Sequence, residues 1–247
     1  MEERLQKIIA QAGIASRRGA EQLIREGRIC LNGQIVKTMG IKVDPARNVI
    51  TFDGKPLCFE QKCTLLLHKP AGYVTTLSDP QGRPIVSDLL TDLPQRLFPV
   101  GRLDLETEGA LLMTNNGALS HAILHPRFGV NKTYEATVTG VPDRKKLDLL
   151  EQGIEIEGST TSPAKIRLLK RYHDQSLVEI IIHEGKKRQV RKMFQAINHH
   201  VLYLKRTAYG DLRLGALPVG KYRLLGQEDL KKIFSEKIPF TIKNILD

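Results

Sequence analysis

The chain reads as an α+β protein in two parts, a small N-terminal module of two helices and a hairpin followed by a larger domain with a mostly antiparallel sheet and flanking helices. Three observations predict it. Apolar residues recur at helical spacing twice before an Asn32-Gly33 hairpin signal. A turn signal, Asp53-Gly54-Lys55-Pro56, then marks a linker that places the modules at 1–60 and 61–240. Beyond it, strand patterns joined by short turns alternate irregularly with helical ones, without the βαβ rhythm of a doubly wound sheet.

Each element has a local cause. Leu5, Ile8, Ile9 and Ala12 form one helical stripe that Gly13 ends. Ser16 is placed to cap a second helix through Glu26, with Ala20, Leu23 and Ile24 inward and Gly27 as its stop. The segment 64–74 reads as a buried strand broken by Lys69-Pro70 and Gly72. Further strands are predicted around 97–100, 110–114, 133–139, 164–170, 176–183 and 201–208. Helices are predicted around 117–125, 143–151, 186–197 and 227–234.

Composition narrows the partner. A formal charge of +11 on 247 residues, 26% of them charged, describes a folded polyanion binder more than a basic tail. Nucleic acid is the first expectation, since phosphate contacts supply the salt-dependent part of such binding. No apolar run approaches the roughly 20 residues of a spanning helix, and the N-terminus carries no secretory h-region, so a cytoplasmic protein with no membrane association is expected. Cys30, Cys58 and Cys63 include no CxxC pair, which fits a reducing compartment. Neither His183-Glu184 nor His199-His200 has metal-ligand spacing. No metal is expected.

The most informative run is Gly101-Arg-Leu-Asp-Leu-Glu-Thr-Glu-Gly-Ala-Leu-Leu-Met-Thr-Asn-Asn-Gly117. It sets Asp104 in a short polar loop between apolar strand-like runs, a way of holding a carboxylate on a rigid scaffold. This run resembles the pattern of the RsuA/RluB family of ribosomal-RNA pseudouridine synthases, departing from it mildly at Ala110, Met113 and Asn116. Glu184-Gly-Lys-Lys-Arg-Gln-Val-Arg-Lys-Met-Phe194 is a second match, with lysines at positions 186 and 192 where Arg is usual and Lys187 where Asn is common. A third is the alternating strand Lys132-Thr-Tyr-Glu-Ala-Thr-Val-Thr-Gly140. The stretch from Leu204 to Leu225 fits the family's closing pattern, and residues 1 to about 60 resemble the S4 RNA-binding module.

The resemblance implies a cofactor-free isomerase that converts a uridine of ribosomal RNA, most readily large-subunit rRNA, to pseudouridine. Asp104 would be catalytic, either attacking the sugar C1′ or drawing a 2′ proton. Tyr134 would lie under the uracil. A closed pocket raises a carboxylate's pKa unless a cation compensates, and the resemblance assigns that cation to Arg191, with Arg188 as the alternative three residues away on a helix face. Arg102, Thr107, Lys132, Lys186, Arg188 and Gln189 are the expected substrate contacts. Arg4, Lys7, Arg17, Arg18 and Arg28 are the expected phosphate contacts of the N-terminal module. The partner would be ribosomal RNA or a ribosomal-subunit assembly intermediate, bound by a monomer. Two rival readings are a glycoside hydrolase or DNA glycosylase with its acidic pair among Asp104, Glu106 and Glu108, and a non-enzymatic rRNA-binding or ribosome-assembly protein that uses the S4-like module alone.

Overall fold

A computed structural model describes residues 2–234. The predicted domain end at 240 lies outside the described residues. The chain divides into two compact units, one of residues 1–63 with the short pieces 93–96 and 115–117, the other built from 64–92, 97–114 and 118 onward. No described helix is long and apolar enough to cross a membrane.

In the N-terminal unit, α1 (Leu5–Gln11) and α2 (Arg17–Arg25) precede a four-stranded sheet of β1 (Ile29–Leu31), β2 (Gln34–Ile35), β3 (Ile50–Phe52) and β4 (Lys55–Pro56). Leu5, Ile8 and Ile9 from α1, Ala20 and Ile24 from α2, and Ile29 and Ile50 from the sheet form its core. Ser16 caps α2 as expected, its Oγ accepting from Gly19 N at 3.0 Å. Asn32 and Gly33 both take positive φ, the requirement of a tight two-residue hairpin.

The larger unit is a nine-stranded sheet built from β5 (Thr64–Lys69), β6 (Phe98–Pro99), β7 (Glu108–Thr114), β8 (Lys132–Thr139), β9 (Lys165–Arg171), β10 (Gln175–Ile182), β11 (Val201–Tyr209), β12 (Leu212–Arg213) and β13 (Tyr222–Leu224). Along the sheet the order is β9-β10-β8-β11-β7-β5-β13, with β12 on β11 and β6 on β7. Helices α3 (Gly117–Leu124), α4 (Arg144–Gln152), α5 (Gln189–Ala196) and α6 (Gln227–Ile233) complete it. The predicted strand at 64–74 ends at Lys69, where Pro70 removes a ladder donor. The predicted helix at 186–197 begins only at Gln189, because Arg188 takes φ 55°, a left-handed conformation that no helix interior accommodates.

Among the described residues, the strand pairings are antiparallel except that of β7 with β11, which run parallel through Glu108–Lys205 and Gly109–Arg206. That exception joins the two halves of the sheet, and it requires a glycine. Gly109 has φ 114°, and a Cβ there would stand 2.2 Å from the Arg206 carbonyl oxygen. Gly109→Ala should therefore destabilise the larger unit by about 3 kcal/mol or more, through clash and left-handed strain together. Thermal denaturation measures it, and an unchanged melting temperature would mean that β7 and β11 do not approach this closely.

Candidate active site

The loop before β7 is held from below. Leu103 is buried, and its N–H and carbonyl both engage the Thr75 hydroxyl, at 3.3 and 2.7 Å. Gly72 N donates to Leu105 O, and Thr107 N to Asp104 O. Lys69, the fully buried last residue of β5, directs its Nζ to four carbonyl oxygens, those of Pro70 (2.9 Å), Thr107 (2.9 Å), Asp104 (3.3 Å) and Leu105 (3.4 Å). Three ammonium protons are shared among them. Burial lowers the Lys69 pKa to about 8; the charge of Arg206 adds to this, while Asp104 and Glu108 oppose it. With its backbone so fixed, Asp104 lines a cavity of about 320 Å³.

The sheet supplies the opposite wall. On β8, burial alternates so that Lys132, Tyr134, Ala136 and Val138 face inward. Lys132 Nζ donates to Val130 O and His183 O, at 3.2 and 2.8 Å, and burial brings its pKa to about 8, with the charge of Arg206 next in effect. On β11, Leu204, Arg206 and Ala208 face inward. Arg206 is 3% exposed. Its Nε donates to Ala110 O (2.7 Å) and its Nη1 to Tyr134 Oη (3.3 Å), while its guanidinium lies 4.5 Å from the Tyr209 ring centroid and 5.8 Å from that of Tyr134.

The turn into α5 closes the cavity. Glu184 accepts from Ser162 N and from Gln189 Nε2, and Gln189 Oε1 in turn accepts from Lys186 N. Asp104, Tyr134, Arg102, Thr107, Lys132, Lys186, Arg188 and Gln189 thus all line one cavity. Arg191 does not. Its Nη1 donates to Val201 O at 3.1 Å, and its acidic neighbour is Glu106, 3.9 Å from Nη2, instead of Asp104. Arg188 stands outside α5, which starts at Gln189, and it too reaches Glu106, at 3.8 Å, so the loop carboxylate at 106 draws both arginines. Glu106 and Glu108 stay out of the cavity, Glu108 being taken up by His68 (2.9 Å) and Lys205 (3.3 Å). The carboxylate pair of a glycosidase is therefore not assembled.

A family model for RNA pseudouridylate synthases matches residues 64–196, more than half of the chain, and one for the S4 domain matches residues 3–49. The chain belongs to the RNA pseudouridylate synthase family. Similar proteins include an uncharacterised RNA pseudouridine synthase of Aquifex aeolicus, 44% identical over 95% of this chain and 94% of that protein. Ribosomal large subunit pseudouridine synthase B of Bacillus subtilis is 43% identical over 94% and 95%. A solved structure described as a pseudouridylate synthase superposes with a TM-score of 0.68 at 32% identity, covering 93% of this chain and 99% of its own.

In the synthase, the functional-site candidate that sequence reasoning missed is Arg206. The available signal was its phase, an Arg between Leu204 and Ala208 on the inward positions of a strand. In the S4 unit, Arg4, Arg17 and Arg18 are exposed and pair with no described acid, whereas Lys7 is tied to Glu3 and Arg28 to Asp53 and the Phe52 ring.

Lys132 yields a signed pH prediction. Its folded pKa, about 8, lies below the ordinary 10.5, so between those values the unfolded chain holds more protons and this residue makes stability rise with pH. Below about 8 its cost is constant. Lys132→Met should flatten that rise by roughly 1–3 kcal/mol, read by urea denaturation across the window. An identical slope in both proteins would contradict a depressed Lys132.

Proposed function

We propose that the synthase isomerises a uridine of large-subunit ribosomal RNA to pseudouridine without a cofactor, with Asp104 as the reacting carboxylate. The observation that carries this reading is the sharing of one cavity by Asp104, Tyr134 and a set of cations. The reaction breaks the N1–C1′ bond of uridine and joins C5 to C1′. Asp104 either captures C1′ or removes the 2′ proton as the ring departs. Tyr134 lies under the detached uracil, its hydroxyl able to help remove the C5 proton. A target base would have to leave its stack to enter.

The RNA is ribosomal in this reading, as free rRNA or a subunit assembly intermediate, and the enzyme acts as a cytoplasmic monomer. Arg4, Arg17 and Arg18 serve phosphate docking, since their charge is not already spent on an acid of the same unit. Arg102 and Arg188, exposed at the cavity rim, suit the phosphates flanking the target.

Mapping pseudouridines in rRNA from cells with and without the protein tests the target. One large-subunit position should lose its modification, and an unchanged map would end the proposal. Asp104→Asn should restore none of it while keeping RNA affinity, because size is retained and the ionised oxygen is lost. Near-normal turnover in that variant would remove Asp104 from its role.

The two arginines near Glu106 separate by substitution. Arg188→Met should raise KM for RNA, as expected of a rim cation. Arg191→Met should lower kcat, because Arg191 braces β11 at Val201 and the loop at Glu106. Steady-state kinetics on an rRNA fragment distinguishes them, and a reversed pattern would exchange the two roles.

A further inference from the structure

The cavity carries far more positive charge than its own carboxylate requires. Its lining includes Arg102, Lys132, Lys186, Arg188 and Arg206 against one acid, Asp104. Exposed Arg102 and Arg188 can meet a phosphate backbone at the rim, and Lys186 is bonded to Ser159 Oγ and Thr160 O, both at 2.7 Å. Lys132 and Arg206 are different. They are 7% and 3% exposed, too deep for a phosphodiester, and neither pairs with a described carboxylate.

Holding two cations without an ion-pair contact in a protein interior is costly; Lys132 has only the more distant charge of Glu184, and the partners of Arg206 are neutral: one backbone carbonyl, one tyrosine hydroxyl and two aromatic rings. Among the described residues its buried Nη2 has no acceptor, and neither has the buried Thr107 hydroxyl on the same lining. The remaining walls include apolar Val100, Leu103, Ile182 and Leu204, and in such surroundings a fixed charge acts strongly on an anion that forms within reach.

We propose that Arg206, with Lys132 beside it, forms an anion subsite for the ring of a deprotonated uracil, which takes up the negative charge left when the base detaches from its sugar. The inference rests on the isomerase reading. As N1–C1′ breaks, its electron pair stays on the ring and spreads from N1 over O2 and O4, while C1′ is captured by the Asp104 carboxylate or relieved of charge by loss of the 2′ proton. The ring then returns the pair from C5 to C1′ as the Asp104–C1′ bond breaks or, on the other route, as Asp104 gives its proton back to C2′; the C5 proton is then lost to a base while N1 takes one up, so that the product is an isomer of the substrate. Nothing is oxidised or reduced. The two cations stabilise the state between these steps and gain little from the neutral nucleoside, which is the differential binding that accelerates a reaction.

The test uses free bases, so it depends neither on turnover nor on knowing the RNA target. Uracil is neutral near pH 7, whereas 5-nitrouracil keeps the same ring, with a nitro group in place of the C5 hydrogen, and is largely ionised there. The full-length protein should bind 5-nitrouracil about tenfold or more tightly than uracil, a difference of about 1.4 kcal/mol, measured by ligand-observed NMR. Lowering the pH through the ionisation of 5-nitrouracil should erase the preference in the wild-type protein, a readout that needs no variant to fold. Arg206→Gln should abolish the preference and Arg206→Lys should keep part of it, which a purely structural role for Arg206 would not produce. Equal affinity for the two bases, a preference that survives Arg206→Gln, or no binding of either base overturns the subsite. An unchanged rRNA map alongside a clear anion preference would overturn the proposed target and leave the subsite standing.

Discussion

The buried Lys69 ammonium is the constraint on which the site is built. It ends β5 and gathers the carbonyls of Asp104, Leu105 and Thr107 from a loop that has no regular secondary structure of its own. Loop carbonyls normally face water, because burying them unpaired is expensive. One cation pairs several here, which lets the loop pack down onto the sheet while the Asp104 side chain stays at the cavity. The arrangement offsets two costs at once, since carbonyl dipoles solvate the charge and the charge satisfies the carbonyls. The Thr75 hydroxyl, bonded to both backbone groups of Leu103, fixes the same loop one step upstream.

A second constraint acts through the sheet. The parallel contact between β7 and β11 brings Arg206 against the strand that follows the reactive loop, and its side chain closes the arrangement by donating to Ala110 O. The residue whose backbone demands a glycine at 109 therefore also presents a guanidinium to the cavity. Lys132 and Tyr134 arrive on the neighbouring strand through β8 alternation. A register shift between Thr133 and Tyr134 brings Tyr134 opposite Arg206, so an irregularity in the pairing sets the spacing of these groups and the hydrogen-bonded sheet holds it.

The two units divide the electrostatic work. In the S4 unit the arginines left free of acids are surface groups, suited to contacts that weaken with salt. In the larger unit the cations are graded by depth, from exposed Arg102 and Arg188 to buried Lys132 and Arg206. On the proposed reading depth decides what each would meet, a diester backbone at the rim and a flipped base inside.

Much of this was legible in the order of residues. Helical stripes ended by glycine, the Asn32-Gly33 turn, the alternating strands and the loop around Asp104 are local patterns, and local patterns are fixed by backbone sterics and by which faces are apolar. The same order determined the family, because the runs around Asp104, Tyr134 and Arg188 are long enough to be specific. The residue opposite each charge was not legible. Which acid Arg191 would meet depended on how α5 packs against the loop carrying Glu106, and the left-handed turn at Arg188 separately moved the helix start by three residues. The identity of Lys69 as the clamp and of Arg206 as a cavity cation required the register of β5, β7 and β11, set by contacts between segments far apart in the chain. Sequence fixes what a segment prefers on its own, and tertiary packing alone decides which distant charge it must face once water is removed.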